Sequence, residues 1–184
     1  MKGKIVVISG PSGCGKGTVI AKLLDRDSNL KLSVSMTTRE PRAYECHGRE
    51  YYFVSREEFE KRIAAGDLLE YTVYNGNYYG TPKTELALAQ EQGTDILLDI
   101  EVEGAANVRK AGLENLMTIF LAPPSFEELR KRLTLRGTED SEVIERRMER
   151  AKKEILEKDK YDYIVINDDL ETTVDEVYFI INNK

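Results

Sequence analysis

Short apolar runs alternate with amphipathic stretches along this chain. Ile5 to Ile8 reads as a hydrophobic strand running into a glycine-rich turn, then a helix with apolar Val19, Ile20, Leu23 and Leu24. A short strand is expected around Leu30 to Val34. Ser35 to Arg42 reads as extended or turn, because Pro41 pushes Glu40 out of helical geometry. Residues 50–54 read as a strand, and Ser55 with Glu58 as a capping box for a helix carrying Phe59 and Ile63 and closed by Gly66. Leu68 to Tyr74 and Asn77 to Gly80 form a hairpin about Asn75-Gly76, and Thr81-Pro82 reads as the start of a helix ending near Gly93. Asp95 to Ile100 is nearly all apolar, as in a buried parallel strand. A helix to Ala111, a strand from Leu116 to Leu121 and a break at Ala122-Pro123-Pro124 follow. Ser125 and Glu128 make a second capping box. Two charged helices part at Arg136-Gly137-Thr138. The chain closes with a strand from Tyr161 to Ile166 and a helix carrying Leu170, Val174, Val177 and Ile181.

That order predicts an α/β fold: a three-layer α/β/α core with a parallel sheet, carrying a small mostly-β insertion and a helical lid. The expected core is 1–32, 82–125 and 154–184, the insertion 33–81 and the lid 126–153. With 184 residues there is room for one full core and small excursions. A charged fraction of 33% beside 41% hydrophobic residues excludes long disorder. The formal charge of −6 argues against a nucleic-acid binder, and no apolar run is long enough for a membrane span. Cys14 and Cys46 lack metal-ligand spacing and suit a reducing cytoplasm; the N-terminus has no secretory pattern. A lone histidine, His47, leaves no Ser/His or Cys/His nucleophilic centre and reads as a loop residue.

The candidate chemistry starts at Gly10-Pro11-Ser12-Gly13-Cys14-Gly15-Lys16, the first seven positions of a phosphate-binding loop. Its glycines let backbone N–H groups wrap an anion, the helix N-terminus adds partial positive charge, and Lys16 a full one. Gly17 stands where Ser or Thr usually holds magnesium. Either Thr18 takes over, or water and carboxylates hold the metal. Asp99, with Glu101 beyond it, ends a hydrophobic strand, the usual place for a metal-site carboxylate. Cys14 at a helix N-terminus is a small filler or a thiol of lowered pKa open to oxidation. Arg39 and Arg42 can fork onto one phosphate or form a solvated basic loop. The insertion holds Tyr44, Tyr51, Tyr52, Tyr71, Tyr74, Tyr78 and Tyr79, seven of the chain's 10 tyrosines, which build a small sheet or meet a base and a phosphate. Of the cations in 126–153, most are expected in i,i+4 pairs. Arg136 and Arg147 stand out as groups with which a lid could clamp phosphates. A second set of arginines apart from the phosphate loop points to a second phosphorylated substrate. A nucleoside monophosphate brings ionised oxygens and needs no catalytic base, which agrees with the absence of a histidine centre.

The segments GPSGCGKGT, SVSMTTREPR, HGREYYFV, GDLLEY, GNYYGTP, LLDIEVEG, APPS, RLTLRGTE and VINDDL together resemble the guanylate kinase family in one register over nearly the whole chain. The resemblance implies magnesium-dependent phosphoryl transfer from ATP to GMP, with dGMP not excluded by any feature. It also implies guanine recognition by Ser35, Glu70 and Thr81 with Asp99 nearby, and GMP-phosphate binding by Arg39, Arg42, Tyr51 and Tyr79. By the same resemblance Arg136 and Arg147 bind the transferring phosphate, and Asn167 and Asp168 lie near the ATP adenine. Lys16, Arg42, Arg136 and Arg147 are then the catalytic set, with Thr18 and Asp99 as magnesium ligands. Met36 and Gly17 depart from the usual pattern. Two other classes compete: a guanylate-kinase-like scaffold module that recognises peptides, and a kinase of another monophosphate or a sugar phosphate. The intact loop lysine and arginines argue against the first, and Glu70 with Ser35 against the second. The oligomeric state is not legible.

Overall fold

The computed structural model of the chain describes residues 3–135 and 141–183. In order, the elements are β1 (Ile5–Ser9), α1 (Lys16–Arg26), β2 (Leu30–Leu32), β3 (Ser35–Thr37), β4 (Tyr51–Phe53), α2 (Arg56–Ala65), β5 (Leu68–Tyr74), β6 (Asn77–Pro82) and α3 (Lys83–Gln92). They continue with β7 (Asp95–Asp99), α4 (Val102–Lys110), β8 (Leu116–Ala122), α5 (Phe126–Leu135), α6 (Ser141–Ile155), a 3-10 turn (Lys158–Lys160), β9 (Tyr163–Ile166) and α7 (Leu170–Asn182). The strands form a five-stranded sheet of order β2-β7-β1-β8-β9 and a four-stranded sheet of order β4-β3-β6-β5. The chain groups into two compact units: Met1–Ile5, Asn29–Leu98 and Glu103–Leu116 in the first; Val6–Ser28, Asp99–Val102 and Met117–Lys184 in the second.

In the first unit β2 and β7 pair in parallel, Leu30 opposite Asp95 and Leu32 opposite Leu97. The four-stranded sheet is mixed: β3 lies parallel to β4 and antiparallel to β6, and β5 pairs antiparallel with β6. Asn75 and Gly76 both take positive φ, 48° and 78°, as the tight hairpin turn requires. Met36, Phe59 and Leu68 form a small core, with Tyr52, Val54, Ile63 and Tyr78 packed against it. Met36, unusual by family resemblance, is thus an interior packing residue. Ser55 caps α2 by accepting from the Glu58 N–H at 3.2 Å. The Glu58 carboxylate turns to Arg62 at 2.9 Å.

Ser35–Thr37 takes the extended one of the two expected forms and is a strand, because it has partners on both sides. The helix after Thr81-Pro82 starts one residue later than expected: β6 runs through Pro82, the N-cap of α3, and α3 begins at Lys83 with no side-chain cap from Thr81. Thr81 is consumed by a cross-strand partner instead.

In the second unit β1 is buried throughout, as a central strand of Ile and Val residues should be. Helix α1 buries Val19, Ile20 and Leu23, and α7 buries Val174, Val177 and Ile181. The α1–α7 contact is reinforced where the Arg26 guanidinium lies 4.2 Å from the centre of the Tyr178 ring. Strands β8 and β9 pair in parallel, from Ile119 opposite Tyr163 to Ala122 opposite Ile166. Helices α5 and α6 share a core of Leu129, Leu133, Ile144, Met148 and Ala151. Their charges pair in more ways than the expected i,i+4: Arg132 with Glu128 and Arg150 with Glu154 have that spacing, Lys131 with Glu128 and Lys152 with Glu149 are i,i+3, and Arg130 meets Glu145 across the helices. Arg136 and the Arg136-Gly137-Thr138 break lie outside the described residues. Among the described residues no helix is long and apolar enough to cross a membrane.

Candidate active site

Strand β1 delivers the chain into the turn at Gly10 and α1 takes it away at Lys16. The turn is held tightly. A Cβ on Gly10 would lie 2.1 Å from the Leu121 carbonyl oxygen, and one on Gly15, which has φ of +95°, 2.4 Å from Asn167 Nδ2. That amide donates to the Cys14 carbonyl at 2.7 Å, and Arg132 donates to the Asn167 carbonyl at 3.0 Å. So Asn167, expected near adenine, has its side-chain amide on the phosphate-loop backbone. Asp168 beside it is exposed. Pro11 is buried, Ser12 and Gly13 half-buried, and Gly17 and Thr18 exposed at the first turn of α1. Nothing lies within 4 Å of a Cβ placed on Gly17, so glycine is not sterically required there.

Lys16 Nζ donates to the Gly10 carbonyl at 2.8 Å. Burial works against its charge, yet its pKa lies above the ordinary lysine value because Cys14, Asp99, Glu101 and Glu154 all favour the cation. The loop therefore keeps a full positive charge at neutral pH. Asp99 ends β7. By surface area Asp99 is open to water, yet protein surrounds its carboxyl closely. The desolvation raises its pKa, Lys16 opposes that, and Glu101 adds to it. Burial likewise pushes Cys14 up, outweighing Lys16 and its N–H. Of the two readings of Cys14 this bears out the small filler and not the lowered thiol: the side chain faces the interior and is wholly buried. Arg147 is half-buried on α6. Glu101 and Glu154, not both foreseen, share Arg150, which lies 3.5 Å from Glu101 and 2.6 Å from Glu154.

The first unit holds a second polar constellation. Glu70 on β5 stands opposite Thr81 on β6, beside a register shift between Leu68 and Glu70. The Thr81 hydroxyl donates to Glu70 Oε1 at 2.7 Å. Both are buried, Glu70 at 6% exposure. Burial raises the Glu70 pKa to about 7, against the bonds from Thr81 and with a small push from Glu103. Ser35 on β3 is half-buried and paired in register with Tyr51. Tyr51 and Tyr79 meet edge-on at 6.0 Å, and the Arg39 guanidinium lies 5.5 Å from the Tyr51 ring centre. Arg39, Tyr51 and Tyr79 are thus together. Arg42 is exposed and reaches Tyr44 Oη at 3.2 Å. Sequence reasoning missed Glu45, whose carboxylate accepts from Arg39 Nη1 and Nη2 at 3.0 and 2.9 Å and from the Arg42 N–H at 2.7 Å. Its only trace in the sequence is an acid three residues after Arg42.

The family model for guanylate kinase matches residues 2–184. The chain belongs to the guanylate kinase family. The guanylate kinase of Lactococcus lactis is 48% identical over 180 residues, covering 98% of this chain and 87% of that one. That of Bacillus subtilis is 48% identical over 181 residues, covering 98% and 88%. Among solved structures, a guanylate kinase from Anaplasma phagocytophilum superimposes with a TM-score of 0.81 at 36% identity, covering 99% of this chain and 86% of its own. The α/β architecture with a parallel sheet is that of this family of P-loop kinases, and the chain is an enzyme of that family.

Proposed function

We propose that this chain transfers the γ-phosphoryl group of ATP to GMP, giving ADP and GDP, and accepts dGMP as well. One observation of the molecule itself carries the choice of base: a buried carboxylate, Glu70, fixed by Thr81 in surroundings otherwise costly for a charge. Guanine presents N1–H and a 2-amino group as adjacent donors, which one carboxylate accepts together. Adenine has an acceptor at N1 and leaves Glu70 unmatched, a mismatch worth roughly 10⁴ in selectivity at a site of this kind. Ser35 supplies a hydroxyl to guanine O6 and Thr81 holds Glu70; Asp99 is assigned to the guanine by family resemblance. Arg39, Arg42, Tyr51 and Tyr79 bind the GMP phosphate.

In the reaction a GMP phosphate oxygen attacks the γ-phosphorus in line, the bond to the β–γ bridging oxygen breaks, and ADP leaves. The attacking oxygen is already ionised, so no base is needed. The N–H groups of residues 10–18 and Lys16 hold the ATP phosphates. Asn167 and Asp168 belong to the adenine end, Asn167 through the loop it grips. Arg136 and Arg147 offset charge on the group in transit. The residues fit magnesium: Asp99 and Glu101 are hard oxygen donors beside Lys16, and the exposed Thr18 hydroxyl is available where Gly17 offers none. Bound there, the ion would neutralise phosphate charge.

In this scheme residues 33–81 are the GMP-binding insertion and 126–153 the lid, on a core of 1–32, 82–125 and 154–184. Each excursion has its own small apolar cluster, which supports the division. The substrates are small molecules, and two free thiols fit a cytoplasmic setting. The test is ADP release from ATP and magnesium with GMP, AMP, CMP, UMP or no acceptor. Fast turnover with GMP alone is expected. Turnover with another acceptor overturns the base assignment, and none at all, in a folded protein that binds peptide, favours a scaffold module.

A further inference from the structure

We propose that Glu45 is a positioning residue for the acceptor phosphate, holding Arg39 and the Arg42 backbone in the arrangement that phosphate recognition uses. This rests on assigning Arg39, Arg42, Tyr51 and Tyr79 to the GMP phosphate. The Glu45 side chain is only 5% exposed, whereas that of Arg42 is 63% exposed. Both Glu45 oxygens are engaged by the Arg39 fork at 2.9 and 3.0 Å, and Oε2 also takes the Arg42 N–H at 2.7 Å. The Arg39 fork is steadied further. Nη1 donates to the Glu40 carbonyl at 2.7 Å, and the Arg39 N–H to the Thr37 hydroxyl at 3.2 Å. The guanidinium sits over Tyr51 and Phe53, 5.5 and 5.7 Å from the ring centres. A planar guanidinium gripped along one edge has one orientation, and its remaining donors point one way.

Glu45 also carries negative charge, which opposes a phosphate. Two effects of opposite sign therefore compete. The Glu45 charge is already offset by the Arg39 guanidinium bound to both its oxygens, so a phosphate on the free edge of that fork meets a compensated pair rather than a bare carboxylate. Loss of the fixed fork has no such offset. Orientation prevails, and removing Glu45 weakens GMP binding. The Arg39–Glu45 pair is mutually reinforcing, the bond from Arg39 being the first cause of the lowered Glu45 pKa, so the carboxylate stays ionised wherever the enzyme works.

The test uses Glu45→Ala and Glu45→Gln, Arg39→Ala, and the double variant Arg39→Ala/Glu45→Ala. GMP and guanosine affinities are measured in parallel with thermal midpoints and the KM for ATP. Glu45→Ala is expected to weaken GMP roughly 10- to 100-fold. Guanosine affinity and the ATP KM are expected to stay put, because neither ligand places a phosphate on this fork, while the thermal midpoint falls modestly as the loop loses its bonds to Glu45. In the Arg39→Ala background the same change is expected to cost at most about threefold, only the part that passes through the Arg42 N–H remaining. Glu45→Gln, which keeps one acceptor, should fall between. GMP binding that is unchanged or tighter in Glu45→Ala overturns the proposal, as does an equal loss for guanosine, which would mark simple loop damage. If Arg39→Ala leaves GMP affinity intact, it is the phosphate assignment that fails, and the Glu45 role with it.

Discussion

Replacing Glu70 by Gln should make the empty enzyme more stable and the working enzyme much worse. Burial lifts the Glu70 pKa from 4.5 to about 7. The folded state thus holds this proton more tightly than the unfolded state. The favourable contribution is complete below pH 4.5 and is lost as pH rises through about 7. A shift of that size corresponds to about 3 kcal/mol of stability lost above neutrality, an upper figure because residual solvation softens it. Gln is neutral at every pH and still accepts from Thr81, so Glu70→Gln should recover about 1–3 kcal/mol at alkaline pH, several degrees in the unfolding midpoint. The assay is thermal unfolding of unliganded protein in mildly acidic and mildly alkaline buffer. The variant should gain only on the alkaline side. The same change should weaken GMP roughly 100-fold or more, because the new –NH2 meets a guanine donor. In the wild type, guanosine affinity should rise about tenfold between pH 6 and pH 8 as Glu70 ionises. Guanosine is the ligand to use, since the GMP phosphate itself titrates nearby. Equal midpoints for both proteins in alkaline buffer, or guanosine binding that is flat with pH, would refute the reasoning.

Other expectations concern the phosphate loop. Gly15→Ala forces a side chain into φ +95° and onto Asn167 Nδ2, so ATP turnover should drop at least about tenfold with a lower unfolding midpoint; unchanged kinetics would contradict that packing. Gly17→Ser enters open space at a helix start, so stability should change by less than about 0.5 kcal/mol while the magnesium needed for half-maximal rate falls; a marked loss of stability would show the space to be filled. A thiol reagent should modify exposed Cys46 first and reach buried Cys14 only on unfolding, which peptide mapping reads directly; early labelling of Cys14 would mean the loop opens.

Features set by neighbours in the chain were legible. The strand, glycine turn and Lys16 helix follow from short-range geometry, as does the Asn75-Gly76 hairpin. The Thr81-Pro82 pair marked the start of α3 to within a residue, but not that the Thr81 hydroxyl leaves the helix uncapped, because its role is fixed by its register with Glu70 on the neighbouring strand. Glu45 escaped notice because a lone acid in a charged loop carries no periodicity. The choice between the two readings of Cys14 needed the structure, because proximity to a helix N-terminus shows in the sequence and burial of the thiol does not. Asn167 was assigned by likeness alone. That its amide grips the Cys14 carbonyl, 153 residues away along the chain, depends on where β9 ends.

The proton on Glu70 also bears on fidelity. A carboxylate only accepts hydrogen bonds, but a carboxylic acid donates one as well. Below pH about 7 the empty pocket therefore offers a purine both roles, and a base with an acceptor at N1 is no longer repelled there. Acidification then does more than slow the enzyme: it narrows the preference for GMP over AMP, and the ratio of their kcat/KM values across that range measures by how much.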